Sequence, residues 1–190
     1  MKKTGQGYVR IIAGTLRGSK LPVLNQVGLR PSSDRVRETL FNWLQPNIQG
    51  RKVLDLFAGS GALGFESVSR GAAQVTMLEQ NAEACALLVS NQKRLKVDDL
   101  EVVQLESLQW LKNTPASGFN LVFLDPPYGF RHWAELWSAL LLKTVSNALI
   151  YIEIGSNDDC LMPADVVILK QGKTQQSNYL LTQWKNTVID

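Results

Sequence analysis

Short continuous runs of apolar residues alternate with longer stretches in which apolar positions recur every three or four residues. Val53, Leu54, Leu56 and Phe57 make the first run, as expected of a central parallel strand covered on both faces. Residues 74–79, 100–105, 121–124 and 148–154 read as further strands. Helices are predicted between them over about 62–70, closed by Gly71, and over 81–96, 107–113 and 131–142. Residues 166–169 and 179–184 are strands with only a polar turn between them, which suits an antiparallel hairpin at a sheet edge. The alternation predicts an α/β fold built on a mostly parallel sheet, with that hairpin at its edge.

Upstream, Val9, Ile11 and Ala13, then Leu16, Leu21 and Val23, surround Gly14 and Gly18 and suggest a small hairpin or two edge strands. Arg30-Pro31-Ser32-Ser33 is extended. Ser32 or Ser33 can cap the helix that follows, and Asp34 suits its positive end. Val36, Leu40, Phe41 and Leu44 are expected on the buried face of that helix, with Arg35 and Arg37 off it. Pro46 and Gly50 end the element. Trp133 and Trp137, four apart, read as core, and His132 as a solvated helix-start residue.

A chain of 190 residues with 45% hydrophobic content supports one domain with a sizeable core. The expected division is a basic hairpin and helix over 1–45 and a larger body over 46–190. No apolar run reaches the ~18 residues of a membrane span, and MKKTGQGYVR has no apolar stretch behind its basic start, so it does not read as a secretory signal. Cys85 and Cys160 make neither a disulfide framework nor a metal spacing, which fits two reduced cysteines in the cytoplasm and no bound metal. Charge changes the picture more. Residues 1–40 hold eight Lys/Arg against Asp34 and Glu38, while the rest hold twelve against fifteen Asp/Glu. A basic end on a mildly acidic body suggests a polyanionic partner.

The candidate chemistry starts where the first strand meets Gly59, Gly61 and Gly64, at G-x-G-x-x-G spacing. Glycines there permit a sharp turn and a close backbone approach to a nucleotide at a helix N-terminus. Glu79 follows 20 residues after Gly59, where a carboxylate can bond ribose hydroxyls. NAD and S-adenosylmethionine both satisfy these features. Two others separate them. Asp55 lies inside the strand, where it can face the positive amino group of a methionine moiety. Asp125-Pro126-Pro127-Tyr128 ends the fourth strand, in the same crevice. Asp125 and the Pro126 carbonyl can accept both hydrogens of an exocyclic amine, which favours its pyramidal, nucleophilic form, and Tyr128 can lie flat on the base.

VLDLFAGSGALG, MLEQN and DPPY resemble motifs I, II and IV of class I S-adenosylmethionine-dependent amino methyltransferases. RIIAGTLRGSKLPV and LRPSSDRVRETLFNWL resemble, more narrowly, the RsmD family, bacterial enzymes that methylate the exocyclic N2 of a guanine in 16S ribosomal RNA. The resemblance covers almost the whole chain. It implies a Rossmann-like, seven-stranded sheet with a reversed last strand and helices on both faces, acting as a monomer on the assembling small ribosomal subunit. It implies cofactor contacts from Phe57, Ala58, Gly59, Ser60 and Gly61, from Glu79, Gln80 and Asn81, and from Glu106, Ser107 and Leu108 around the adenine. It also implies RNA contacts from Arg10, Arg17, Lys20, Arg30, Arg35 and Arg37. The rivals are a DNA adenine-N6 methyltransferase, an NAD-dependent oxidoreductase, and a non-catalytic RNA-binding or ribosome-assembly protein. Phe130 and Arg131 stand where they could touch substrate.

Overall fold

The computed structural model describes residues 7–24, 34–115 and 117–185. Arg30 and the two expected caps, Ser32 and Ser33, lie outside them. The chain opens with an antiparallel ribbon of β1 (Tyr8–Arg10) and β2 (Lys20–Pro22), followed by α1 (Asp34–Leu44). Then come β3 (Lys52–Asp55), α2 (Ala62–Ser69), β4 (Gln74–Leu78), α3 (Ala82–Leu95), β5 (Leu100–Val103), α4 (Ser107–Asn113), β6 (Phe119–Leu124), α5 (Trp133–Leu141) and β7 (Thr144–Gly155). β8 (Val166–Lys173) and β9 (Ser177–Trp184) close the chain.

The seven strands of the main sheet run in the order β5-β4-β3-β6-β7-β9-β8. The first five are parallel, each joined to the next in sequence by one helix. β9 is antiparallel to both β7 and β8 and lies between them. This is the expected sheet, with longer strands at its reversed edge. β7 begins at Thr144 rather than near 148, because Thr144, Ser146 and Asn147 are polar and Val145 alone makes no apolar run. β8 continues to Lys173 for the same reason: an edge strand needs no apolar face.

Each sheet face is covered. Val53, Val75, Met77, Leu121, Phe123 and Tyr151 pack on one side with Phe65 of α2 and Leu88 of α3. Leu54, Val122, Leu124, Ile150 and Ile152 pack on the other with Trp133, Leu136, Trp137 and Leu140 of α5. Trp133 and Trp137 are thus core, as expected. Ile11, Leu21, Leu40, Phe41 and Leu44 belong to the first cluster, so ribbon and α1 share the core of the larger body.

Arg37 departs from expectation. It was placed off the buried face of α1, yet it is fully buried. Its spacing explains this: Arg37, Leu40, Phe41 and Leu44 fall at i, i+3, i+4 and i+7, one stripe of a helix. Its guanidinium donates to the Arg10 carbonyl at 3.0 Å and to the Asp34 carboxylate at 2.6 Å, tying α1 to β1. Arg35 is exposed.

The loop between β1 and β2 docks on α2. Both carboxylate oxygens of buried Glu66 accept backbone N–H bonds, from Ile12 at 2.7 Å and Ala13 at 3.1 Å, and Arg70 Nε donates to the same group at 2.7 Å. Gly14 passes so close to Ser69 that a Cβ there would lie 1.7 Å from its carbonyl oxygen. No helix among the described residues is long and apolar enough to cross a membrane.

Candidate active site

One cavity of about 800 Å³ opens at the C-terminal ends of the parallel strands. The glycine turn shapes one wall. β3 ends at Asp55, and the chain turns through Gly59 and Gly61, at φ of 51° and 77°, into α2. A Cβ on Gly61 would lie 2.5 Å from Leu88 and 2.8 Å from Phe65. Gly64 serves packing rather than ligand approach: within α2, a Cβ there would lie 2.3 Å from the sulfur of Met77 on β4.

Of the residues expected at the cofactor, Asp55, Phe57, Ala58, Gly59, Ser60, Glu79, Gln80, Asn81, Glu106 and Ser107 line the cavity. Gly61 lies beneath the turn and Leu108 packs in the core beside α5, so neither lines it. Glu79 is held by two backbone donors, Gly59 N–H at 2.9 Å and Asn81 N–H at 2.8 Å, one on each oxygen. Each oxygen keeps lone-pair capacity for a ribose hydroxyl. Asn81 caps α3 through Ala84 N–H at 2.9 Å, and Glu106 caps α4 through Gln109 N–H at 2.8 Å. The Ser107 hydroxyl donates to the Leu56 carbonyl, fixing the start of α4 against the end of β3.

Asp55 is buried with neither oxygen in a well-formed hydrogen bond among the described residues. Burial raises its pKa to about 7; the nearby N–H groups of Phe57 and Gly64 oppose the shift, and the charge of Glu79 adds to it. A buried, unsatisfied carboxyl in a cavity wall fits a cationic ligand group. Together with the glycine cradle and Glu79, it matches the two ends of S-adenosylmethionine, the methionine ammonium and the ribose.

The end of β6, beside β3 in the sheet, supplies the next part of the lining. Asp125 is half-buried, Pro126 buried, and Tyr128 60% exposed at the mouth. All four residues of the motif line the cavity. Phe130 N–H bonds back to the Pro127 carbonyl at 3.2 Å and Gly129 N–H to Asp158 at 3.1 Å. The Pro127 carbonyl is therefore engaged, whereas the Pro126 carbonyl meets no donor among the described residues. The Phe130 ring anchors the loop edge-on to Phe57 at 5.5 Å and to Trp133 at 5.2 Å. Phe130 lines the cavity and Arg131 does not; His132 is exposed beside Glu135.

Three parts of the site have no counterpart among the residues expected from sequence. Val23 and Val36 bring ribbon and α1 to the rim, the β8–β9 turn supplies Thr174–Ser177, and Glu153 of β7 lines the wall near Asp125. A single carboxylate inside an apolar strand marked Asp55, and the same signal marks Glu153 in IYIEI.

A sheet in this order, with a glycine turn after its central strand and Asp-Pro-Pro-Tyr lining the same cavity, defines an S-adenosylmethionine-dependent methyltransferase of class I. Residues 9–183 match the family described as conserved hypothetical protein 95. Ribosomal RNA small subunit methyltransferase D of Haemophilus influenzae is 46% identical over 186 residues, covering 94% of this chain and 95% of that protein. The protein of the same name from Escherichia coli strain K12 is 49% identical over 162 residues, covering 80% and 79%. A solved Escherichia coli methyltransferase structure superposes with a TM-score of 0.84 at 39% identity, over 94% of this chain and 99% of that one. The chain belongs to the ribosomal RNA small subunit methyltransferase D family.

Proposed function

We infer that the protein transfers a methyl group from S-adenosylmethionine to the exocyclic N2 of a guanine in 16S ribosomal RNA, working in the cytoplasm as a monomer on the assembling small subunit. The observation that carries this is one cavity lined by Asp55 and Glu79 together with Asp125-Pro126-Pro127-Tyr128, in a chain of this family. The decisive experiment uses small subunits from a strain lacking the enzyme: the purified protein should restore one methyl on one guanine, mapped in the RNA. Transfer to DNA adenine, or to nothing, would refute it.

The bound cofactor supplies an electrophilic methyl on a sulfonium. Glu79 orients the ribose and Asp55 the methionine ammonium. Asp125 and the Pro126 carbonyl accept the two hydrogens of the target amine and turn its lone pair out of the ring. Tyr128, exposed at the mouth, offers a face to the base. A guanine within a helix cannot reach this wall, so the target must be unpaired or flipped out.

Asp55 makes cofactor binding pH-dependent. Its folded pKa of about 7 lies well above the ordinary aspartate range. The empty protein therefore loses stability as pH rises between about 4 and 7, because the folded state holds the proton that the unfolded chain gives up. Pairing with the ammonium requires the ionised carboxyl, so binding expels a proton below pH 7. Calorimetry at pH 6 in buffers of different ionisation enthalpy should show release approaching one proton, and little at pH 8.5. Asp55→Asn should remove the buffer dependence. Equal heats in every buffer would separate Asp55 from the cofactor.

The exposed Arg10, Arg17, Lys20 and Arg35 supply the phosphate contacts, with Arg30 in the segment outside the described residues; Arg37, being buried, contributes none. Lys20 Nζ sits 4.4 Å from the centre of the exposed Tyr8 ring, which makes the ribbon a mixed aromatic and basic surface. Changing Arg10, Arg17, Lys20 and Arg35 to Gln should flatten the salt dependence of RNA binding by about three, at roughly 0.7 per contact for single strands. Cofactor affinity should not move. A wild-type salt slope would send the RNA path to another surface.

A further inference from the structure

Glu153 is a carboxylate of the cavity wall to which the steps above give no role. It is buried near the C-terminal end of β7. In the pairing of β6 with β7, Phe123 lies opposite Tyr151 and Leu124 opposite Ile152. Asp125 follows directly on the end of β6, and Glu153 follows Ile152 within β7. Glu153, two residues after Tyr151 in the same strand, leaves the sheet on the face where the Phe123 and Tyr151 rings meet at 6.2 Å, and the Asp125 charge reaches the same Tyr151 hydroxyl. The Tyr151 hydroxyl donates to Glu153 Oε2 at 2.8 Å. Burial first, then the charges of Glu153 and Asp125, hold the Tyr151 phenol well above its ordinary range, so it stays a donor. The bond orients the Glu153 carboxylate in the cavity wall, and a carboxylate can accept from several donors at once.

The pairing edge of guanine carries three hydrogens, two on N2 and one on the adjacent N1. Asp125 and the Pro126 carbonyl accept the two on N2. The third needs its own acceptor, on the strand beside Asp125. Adenine offers two hydrogens on N6, but its N1 is a bare acceptor, which a second carboxylate would oppose. We propose that Glu153 accepts the N1–H of the target base and so makes this a guanine site rather than an adenine site. The proposal rests on the guanine assignment made above. Glu153 reads the base and takes no part in breaking or making bonds.

The test uses small subunits reconstituted with either guanine or 2-aminopurine at the target position. 2-Aminopurine keeps the reacting 2-amine, but its N1 carries no hydrogen. In single-turnover assays the wild-type protein should methylate 2-aminopurine at least about 100-fold more slowly than guanine, since a site built around a donor rejects an analogue that lacks it. Glu153→Gln can present an amide N–H to the bare N1 and should bring the two rates within about tenfold or reverse them, which also corrects for any intrinsic difference between the two amines. Calorimetry should show unchanged cofactor affinity in that variant. Equal wild-type rates on the two bases overturn the proposal without recourse to any variant, and so does a Glu153→Gln protein that keeps the wild-type ratio. Should wild-type protein leave the guanine subunits unmethylated, the functional assignment itself fails and the proposal with it.

Discussion

Asp125→Ala should slow methyl transfer by about a thousandfold while leaving cofactor affinity within twofold. Asp125 lines the cavity from the end of β6, while the methionine and ribose are assigned to Asp55 and Glu79, so its loss should leave their contacts in place. What is lost acts on the incoming amine. A nucleobase amine shares its lone pair with the ring and is a poor nucleophile until acceptors draw its hydrogens out of the ring plane. Preorganised polar groups of this kind are each worth about 10²–10³ in rate. The Pro126 carbonyl alone can hold only one hydrogen. Asp125→Asn keeps an acceptor oxygen and should recover part of the loss; charge-assisted bonds are roughly twice as strong as neutral ones. Single-turnover transfer at saturating RNA measures the first effect and calorimetry the second. An alanine variant with wild-type turnover would remove Asp125 from the chemistry.

The largest effect on stability is expected from a residue outside the cavity. Glu66→Ala strips the acceptor from the N–H groups of Ile12 and Ala13 and leaves the largely buried Arg70 guanidinium without its carboxylate. Breaking a buried ion pair from one side costs about 3–5 kcal/mol. Gly14 and Ser69 meet too closely for the loop to shift and find substitutes. The β1–β2 ribbon should therefore come loose first, with fast hydrogen exchange at Ile12 and Ala13 and weaker RNA binding, and chemical denaturation should show the loss of global stability. A variant within 1 kcal/mol of wild type would mean that the ribbon is held by its apolar contacts alone.

The parallel part of the sheet was legible because buried strands leave unbroken apolar runs: Val53 and Leu54, or Leu121 to Leu124, carry their own signal. The glycine-turn wall of the cavity was legible because a sharp turn needs glycine, and Glu79 stood out by its distance along the chain from that turn. Arg37, expected off the buried face, is buried because it falls on the helix stripe with Leu40, Phe41 and Leu44, and a backbone carbonyl and one carboxylate accept from its guanidinium. Glu66 with Arg70 reads as an ordinary i,i+4 helix pair, and its hold on the ribbon could not be found from sequence, since Ile12 and Ala13 lie more than fifty residues away in a loop with no regular pattern. The Thr174–Ser177 turn reads as an ordinary polar hairpin tip, and only the placement of β9 inside the sheet brings it over the cavity.

That placement also sets an order of events during synthesis. β8 is made before β9, yet β8 joins the sheet only through β9. Until the residues up to Trp184 have left the ribosome, β7 presents an open edge and β8 has nothing to pair with. A nascent chain would by then hold its glycine turn, Glu79 and Asp125, but the wall over them would still be missing. Newly made enzyme should accordingly gain its substrate pocket in one late step, and chains stalled between β8 and β9 should be the form that chaperones capture and that pairs wrongly with its own kind.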